Sequence, residues 1–377
     1  MKYKFTLPYI LRRAAALLLV PLLLLSCTDK GKVAEPSKTV GVSRAAELVL
    51  GDAQRVEVLP DGVLPVVDEQ PPLTGTDPGT ESSSGSAGGI SWKFTNGKYT
   101  YSFPEPDRSA LSDLTDINNT SRAFFDDINP DDAGGTWYFA PTSVDPVTGE
   151  TILTWGKDRS DTTLALLDKY GGIYRGDTSR KVCYLTFDCG YENGYTGKII
   201  DTLNAKGVSG TFFVTGDYVR DASSLVKRML DEGHIVGNHT LNHYNMTKQT
   251  AEKFINQIES VEEMVRSIDP SAPAMLYYRP PEGATNEWAL KLADKMGIRT
   301  VLWSYTYKDY DTNNQLDHYT ALEKLKGGLH PGCVYLMHAV SSTNAAVLGD
   351  LIDWIKGQGY EILPLCDIDV TGAQNNG

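Results

Sequence analysis

Two histidines four positions apart, in His239-Thr240-Leu241-Asn242-His243, are the pair in this chain whose type and spacing most directly suggest chemistry. On a helical turn that spacing sets both imidazoles on one side, where they can bind one divalent, zinc-like cation. The chain has only six histidines, and this pair follows the apolar run Ile235-Val236-Gly237-Asn238 directly. His234, His318 and His330 read as structural or solvent-exposed. Four more polar side chains of reactive type occupy equivalent places. Asp188 follows Leu185-Thr186-Phe187, Arg279 follows Leu276-Tyr277-Tyr278, Asp309 lies five residues beyond Ser304, and His338 follows Tyr335-Leu336-Met337. Each stands just past an apolar run, whereas a purely structural use of polar residues would scatter them.

Those runs are the elements that must position the site. From Arg180 onward, short apolar segments alternate with helical stretches, the pattern of a parallel α/β architecture. Strands are predicted at 182–187, 210–214, 234–237, 275–278, 300–304, 334–337 and 360–363. Thr196 to Lys206 and Ala222 to Glu232 place apolar residues at i, i+3, i+4 and i+7, and Gly207 and Gly233 follow as stops. Thr247 to Ile268 reads as a longer helix capped by Thr247 and closed before Pro270. The fold class is α/β, a distorted, incomplete (β/α) barrel of about seven parallel strands with an N-terminal extension. An open doubly wound sheet is the alternative. In a parallel barrel the C-terminal strand ends share one face, so the five reactive places converge.

In order along the chain, Thr186-Phe187-Asp188-Cys189-Gly190, His239 to His243, Arg279-Pro280-Pro281-Glu282-Gly283, Asp309-Tyr310 and Leu336-Met337-His338 resemble the five motifs of the polysaccharide deacetylases, the NodB homology domain. The resemblance covers roughly 180–365. Tyr191 to Thr196, Gly233 to Asn238 and Ala339 to Ala345 are most similar to the N-acetylmuramoyl de-N-acetylases that prepare muramic δ-lactam in spore cortex, as is the lead-in Lys169 to Thr178. Two positions depart from the family pattern. Its second consecutive acid, a metal ligand, is Cys189 here, and the usual Trp of the fourth motif is Tyr310. Other members of the muramoyl subgroup also lack the second acid.

Hydrolysing an N-acetyl amide needs an activated water, a stabilised oxyanion and a proton for the departing amine. A zinc-like cation on His239 and His243 lowers the pKa of its water towards ~7 and polarises the carbonyl. Asp188 is the candidate general base and His338 the candidate general acid. The resemblance implies that Arg279 holds Asp188, that Asp309 holds His338, and that the backbone N–H of Glu282 meets the oxyanion. Leu336 and Trp303 form the pocket for the acetyl methyl or pack as core. Tyr191, Tyr195 and Tyr310 are candidates to stack on sugar rings. Cys189 is an auxiliary metal ligand, or water fills that position. Cys183, Cys333 and Cys366 read as buried free thiols.

The remaining chain supplies setting. A basic region ending at Arg12-Arg13, an apolar run from Ala14 to Leu25 and then Ser26-Cys27 read as an export signal over 1–26. Leu24-Leu25-Ser26-Cys27 resembles the bacterial lipobox, which implies acylation of Cys27 and a lipid anchor on the outer face of the cell membrane. No second apolar stretch approaches the ~20 residues of a membrane helix. Residues 27–90 read as a flexible stalk, since 71–90 is dominated by Gly, Ser, Pro and Thr. Residues 91–179, rich in aromatics, form a small β-rich module or an extension packed on the deacetylase domain at 180–366, and 367–377 is a tail.

The chain of 377 residues has room for a sizeable core, and 41% hydrophobic with 22% charged residues is ordinary globular usage. Its net charge of −13, from 35 basic and 48 acidic residues, excludes nucleic acid as a partner, because such binding rests on clustered Lys and Arg. The partners expected are a cell-wall glycan and, through the anchor, a membrane, with the protein a monomer. The function expected is metal-dependent removal of N-acetyl groups from muramic acid residues of peptidoglycan. Deacetylation of N-acetylglucosamine or another acetylated glycan is the enzymatic alternative. A wall-binding lipoprotein that has lost catalysis is the alternative from another class.

Overall fold

The computed structural model describes residues 54–57, 89–93, 99–122, 141–144, 151–153 and 161–369. The export signal 1–26, Cys27, most of the stalk range and the end of the tail, 370–377, lie outside the described residues. Among the described residues no helix is long and apolar enough to cross a membrane.

Strands β1 (Gln54–Glu57), β2 (Gly89–Lys93) and β3 (Tyr99–Pro104) form an antiparallel sheet with β3 central, and β4 (Pro141–Val144) pairs with β5 (Thr151–Leu153). β1 lies within the range read as a stalk and pairs in register with β3, Gln54 opposite Ser102. Tyr101 and Phe103 of β3 are fully buried in the same apolar cluster as Val182 and Tyr184. The Tyr101 hydroxyl bonds Asp367, which Arg180 also holds, just before the first barrel strand. This sheet therefore packs against the N-terminal ends of the barrel strands, opposite the face expected to carry chemistry.

The barrel strands are β6 (Val182–Cys189), β7 (Thr211–Val214), β8 (Ile235–Asn238), β9 (Tyr277–Tyr278), β10 (Arg299–Thr300), β11 (Cys333–His338) and β12 (Glu361–Ile362). All their pairings are parallel, in the order β10-β9-β8-β7-β6-β11, with β12 beside the start of β6. β9 and β10 are shorter than the sequence pattern predicts. The chain beyond β10 instead makes single bridges, Val301 to Ile173 and Tyr305 to Tyr335 of β11. That second bridge links the two ends of the strand path. The sheet is thus curled into a distorted (β/α) barrel rather than an open doubly wound sheet.

β6 is buried along its whole length, as expected of a parallel strand covered on both faces. Its side chains alternate between two clusters. Cys183, Leu185, Phe187 and Cys189 join the outer cluster with Ile199, Leu203, Val261 and Leu351 from the surrounding helices. Val182 and Tyr184 join the inner cluster with Phe213, Ile235, Val334 and Leu336. β11 follows the same rule, with Cys333, Tyr335 and Met337 outward. The inward rows continue to Asp188 and His338, which are register partners.

The helix Ala251–Ile268 shows how the outer layer is specified. Its buried positions Phe254, Ile258, Val261 and Val265 repeat at helical spacing. Truncating one such ring, as in Phe254→Ala, costs roughly 3–5 kcal/mol. The helix starts later than the Thr247 cap predicts. Thr250 Oγ1 accepts the Lys253 N–H at 3.3 Å, while Met246–Lys248 forms a separate 3₁₀ turn that buries Met246.

Candidate active site

Asp188 ends the inward row of β6 and is 6% exposed. Arg279 Nη1 donates to its Oδ1 at 2.7 Å. Arg279 is itself fully buried and held on every side. Nη2 donates to Thr186 Oγ1 at 2.8 Å and to the Leu302 carbonyl at 3.1 Å, Nε donates to the Val301 carbonyl at 3.2 Å, and the guanidinium lies 4.1 Å over the Phe213 ring. Gly237 makes that packing possible, since a Cβ there would lie 2.6 Å from the Phe213 ring. Burial pushes the Asp188 carboxyl up, but Arg279, with His239 and His338, more than offsets it and holds the pKa below the ordinary value. The carboxylate is therefore ionised and fixed, able to accept a proton.

The histidine pair departs from its predicted geometry. His239 to His243 is not a helical turn but a loop in which Thr240 and His243 take positive φ of 70° and 53°. Such conformations are strained and persist where surrounding bonds impose them. Here Gln257 accepts the Leu241 N–H with its carbonyl at 3.0 Å and the Asn242 N–H with Oε1 at 2.9 Å, and Asn238 Oδ1 accepts the Thr240 N–H at 2.9 Å. The loop brings the two rings to 4.8 Å between centroids, nearly perpendicular. Burial lowers the pKa of both imidazoles, that of His239 to about 4, so both are neutral at ordinary pH.

The His239 tautomer follows from its partner. The Arg279 carbonyl can only accept, so Nδ1–H donates to it at 2.8 Å. Nε2 then carries a lone pair, and it faces Asp188 Oδ2 at 3.5 Å. Because the ring is neutral, this contact is two acceptors facing each other rather than an ion pair. A cation relieves that arrangement, and a backbone-anchored second nitrogen is the usual support of a metal-binding histidine. Among the described residues no set of three or more His, Cys, Asp or Glu donors gathers, so the two imidazoles are the donors this chain brings together.

Cys189 does not join them. As the residue after Asp188 on a strand, it points to the opposite face, fully buried in the outer cluster with Phe187 and Ile199. Burial, and then the charges of Asp188 and Glu192, push its thiol pKa well up, so it is a neutral apolar group. Cys183, Cys333 and Cys366 are likewise buried and not disulfide-bonded, with Cys183 and Cys333 opposite each other in register. Tyr195 also turns out to pack on the outer cluster.

Across the register from Asp188, His338 is a quarter exposed, and Nδ1–H donates to Asp309 Oδ1 at 2.7 Å. Asp309 is buried, and its Oδ2 accepts the His338 backbone N–H at 2.7 Å. Burial works against the imidazolium, but Asp309, through charge and hydrogen bond, raises the His338 pKa above its ordinary value. The ring's Nε2 edge is therefore available to hold and give a proton. Tyr310, 57% exposed, sets its ring 5.5 Å from that imidazole, and Tyr191 is similarly exposed.

Glu282 adopts a positive φ of 62°, and its backbone N–H donates to no group among the described residues. Gly283 beside it allows Trp303 to close in, since a Cβ there would sit 2.8 Å from the indole. Trp303 and Leu336 are buried in the inner cluster, Leu336 two residues before His338 and so on the same face. His234, His318 and His330 take no part. His234 Nδ1 accepts the Gly210 N–H, His318 pairs with Asp350 on the surface, and His330 bonds the adjacent Pro331 carbonyl. What sequence reasoning missed is the support, namely Phe213, Gln257, Tyr307 and the role of Asn344, which signal themselves only by position in the fold.

A curled parallel barrel with a carboxylate, an imidazole pair and a proton-bearing imidazole on its C-terminal face is the build of a hydrolase. The polysaccharide deacetylase family profile matches residues 175–301, a span that contains Asp188, His239, His243 and Arg279. Over 204 residues the chain is 44% identical to the peptidoglycan-N-acetylmuramic acid deacetylase PdaA of Bacillus subtilis, covering 54% of this chain and 77% of that protein. It is 31% identical over 209 residues to a peptidoglycan-N-acetylglucosamine deacetylase of Bacillus cereus, covering 54% and 74%. The solved structure of Bacillus subtilis PdaA, a family 4 carbohydrate esterase, superimposes with a TM-score of 0.57 at 41% identity, over 62% of this chain and 95% of that one. This chain belongs to the polysaccharide deacetylase family and is a polysaccharide deacetylase, a hydrolase.

Proposed function

We propose that this protein removes N-acetyl groups from muramic acid residues of peptidoglycan. The observation that carries the chemistry is the in-register pair of Asp188, held by Arg279, and His338, held by Asp309, beside two neutral imidazoles. Asp188 takes the proton of the attacking water as the oxygen adds to the acetyl carbonyl carbon. The Glu282 N–H donates to the oxyanion that develops on that carbonyl. His338 then gives its proton to the amine nitrogen as the C–N bond breaks, leaving acetate and the free amino sugar. Leu336 and Trp303 seat the acetyl methyl. His239 and His243 would hold a divalent metal, zinc by its preference for imidazole nitrogen, with water where relatives carry the second acid. When bound it supplies water of lowered pKa and a polarised carbonyl.

The muramic acid assignment rests on the 44% identity to PdaA and on the subgroup resemblance of Tyr191 to Thr196. The 31% identical relative favours N-acetylglucosamine as the second reading. Mass spectrometry of peptidoglycan strands with and without stem peptides, incubated with the full chain, separates the two. Loss of 42 Da equivalents, ~one acetyl per site, on muramic acid of peptide-free strands is expected from amide hydrolysis. Equal action on chitin-type oligomers would overturn the substrate while leaving the chemistry. We further propose export and anchoring through Cys27, tested by lipid labelling of the chain and its loss in Cys27→Ala.

A further inference from the structure

We infer that Asn344 is a positioning residue of the acid half of the site, locking Asp309 through its amide and, through Asp309, the His338 imidazole. This rests on the reading of His338 as general acid. Asn344 lies in the first turn of the helix Ser342–Gly357, is 1% exposed, and points its side chain back at the site. Its Nδ2 donates to Asp309 Oδ2 at 2.6 Å and to the His338 carbonyl at 3.2 Å. Its Oδ1 accepts from the Tyr307 hydroxyl at 2.6 Å. A phenol that donates to Oδ1 settles which way the amide faces, because the carboxylate accepts only and must receive the NH₂ end.

Asp309 is thereby held at both oxygens. Oδ2 receives the His338 N–H and Asn344 Nδ2, and Oδ1 is left to the His338 ring. Its main-chain carbonyl is pinned as well, by Gln315 Nε2 at 2.7 Å. Gln315 Oε1 in turn accepts from Ser341 Oγ at 2.5 Å, and Ser341 Oγ accepts the Asn344 N–H at 3.0 Å. A closed circuit of Asp309, Gln315, Ser341 and Asn344 thus stands behind one imidazole. Without Asn344 Nδ2, the second lone pair of Oδ2 is unmade in a dry site, and the carboxylate is free to rotate off the ring. The charged groups that face His338 are Asp309, Asp188 and Arg279, with the neutral but titratable imidazole of His243 more distant. Only Asp309 is reached by Asn344 among these.

The test is the pH dependence of kcat for acetate release by the full, metal-loaded chain. His338 must be protonated to act, so kcat falls as pH rises through its pKa. In Asn344→Ala that alkaline limb is expected to move to lower pH, with kcat down ~10–100-fold and KM unchanged, the usual worth of an orienting partner. Tyr307→Phe, which leaves the packing in place, is expected to move the limb the same way with a loss of ~3-fold, the scale of one hydrogen bond. It carries the test if Asn344→Ala does not fold. In an Asp309→Asn background, Asn344→Ala is expected to cost almost nothing further, because both act on one ring. Costs that add in the double variant, or limbs that stay in place while only melting temperature falls, would overturn the inference. If His338→Ala itself keeps the parent alkaline limb, it is the acid assignment that fails.

Discussion

Asp188 and Asp309 are both buried carboxylates with a cationic partner, and the two pairs are built in opposite senses. In the first the cation is the fixed member. Arg279, always charged and held by four hydrogen bonds, draws the Asp188 pKa down and leaves that carboxylate open to take a proton. In the second the carboxylate is the fixed member. Asp309, bonded at both oxygens, draws the His338 pKa up and leaves the imidazolium ready to give a proton. Two neighbouring strands thus carry, in one register row, a carboxylate able to take a proton and an imidazole able to give one, and their environments push the two pKa values apart.

The largest effect expected is on the reactive members. Asp188→Asn keeps an oxygen for Arg279 but cannot take a proton, and His338→Ala cannot give one. Each is expected to lower acetate release by ~10²–10⁴-fold with circular dichroism unchanged. A variant retaining near-parental turnover breaks the assignment of roles.

Arg279→Gln removes the fixed cation and leaves Asp188 buried beside a neutral group. Urea denaturation is expected to show a loss of about 3–5 kcal/mol. The rate should also lose its acidic side at higher pH than the parent, because burial then raises the Asp188 pKa against only the lesser pull of His239 and His338 and protonates the base earlier as pH falls.

Asp309→Asn is the counterpart on the other pair. It withdraws the charge and hydrogen bond that chiefly raise His338, so burial and Arg279 are opposed by Asp188 alone and the imidazole loses its proton at lower pH. The alkaline limb of kcat is expected to shift acidward with a loss of ~10-fold or more at neutral pH. An unmoved limb would mean that Asp309 does not set the acid.

Cys189→Ala should matter least. The side chain faces the outer cluster, so zinc content by mass spectrometry and kcat should equal the parent, with stability lower by about 1 kcal/mol for the deleted buried atom. A fall in metal content would show that the thiol reaches the imidazoles after all, whereas His239→Ala is expected to abolish binding.

The residue types and their order determined the barrel and the places where chemistry stands. A short, mostly apolar run such as Val182 to Phe187, too short for a helix and repeated between helical stretches, reads as a strand covered on both faces, and a polar residue directly beyond it emerges at the strand's C-terminal end. Asp188, His239, Arg279 and His338 were legible on that ground. Strand alternation was legible too, but the resemblance to relatives with an acid at the position of Cys189 drew it towards the metal. The tertiary structure instead placed that thiol among Phe187 and Ile199, because consecutive strand residues face opposite ways. Only the fold decided that His239 to His243 is a strained loop, since what imposes its positive φ angles is Gln257, on a helix that begins eight residues later, at Ala251. Only the fold decided the orientation of His338, which depends on Asp309 and Asn344 meeting from segments 35 residues apart. Local spacing dictates which face a side chain takes. Which partner it meets there depends on register between strands and on loop contacts, and neither leaves a period in the sequence.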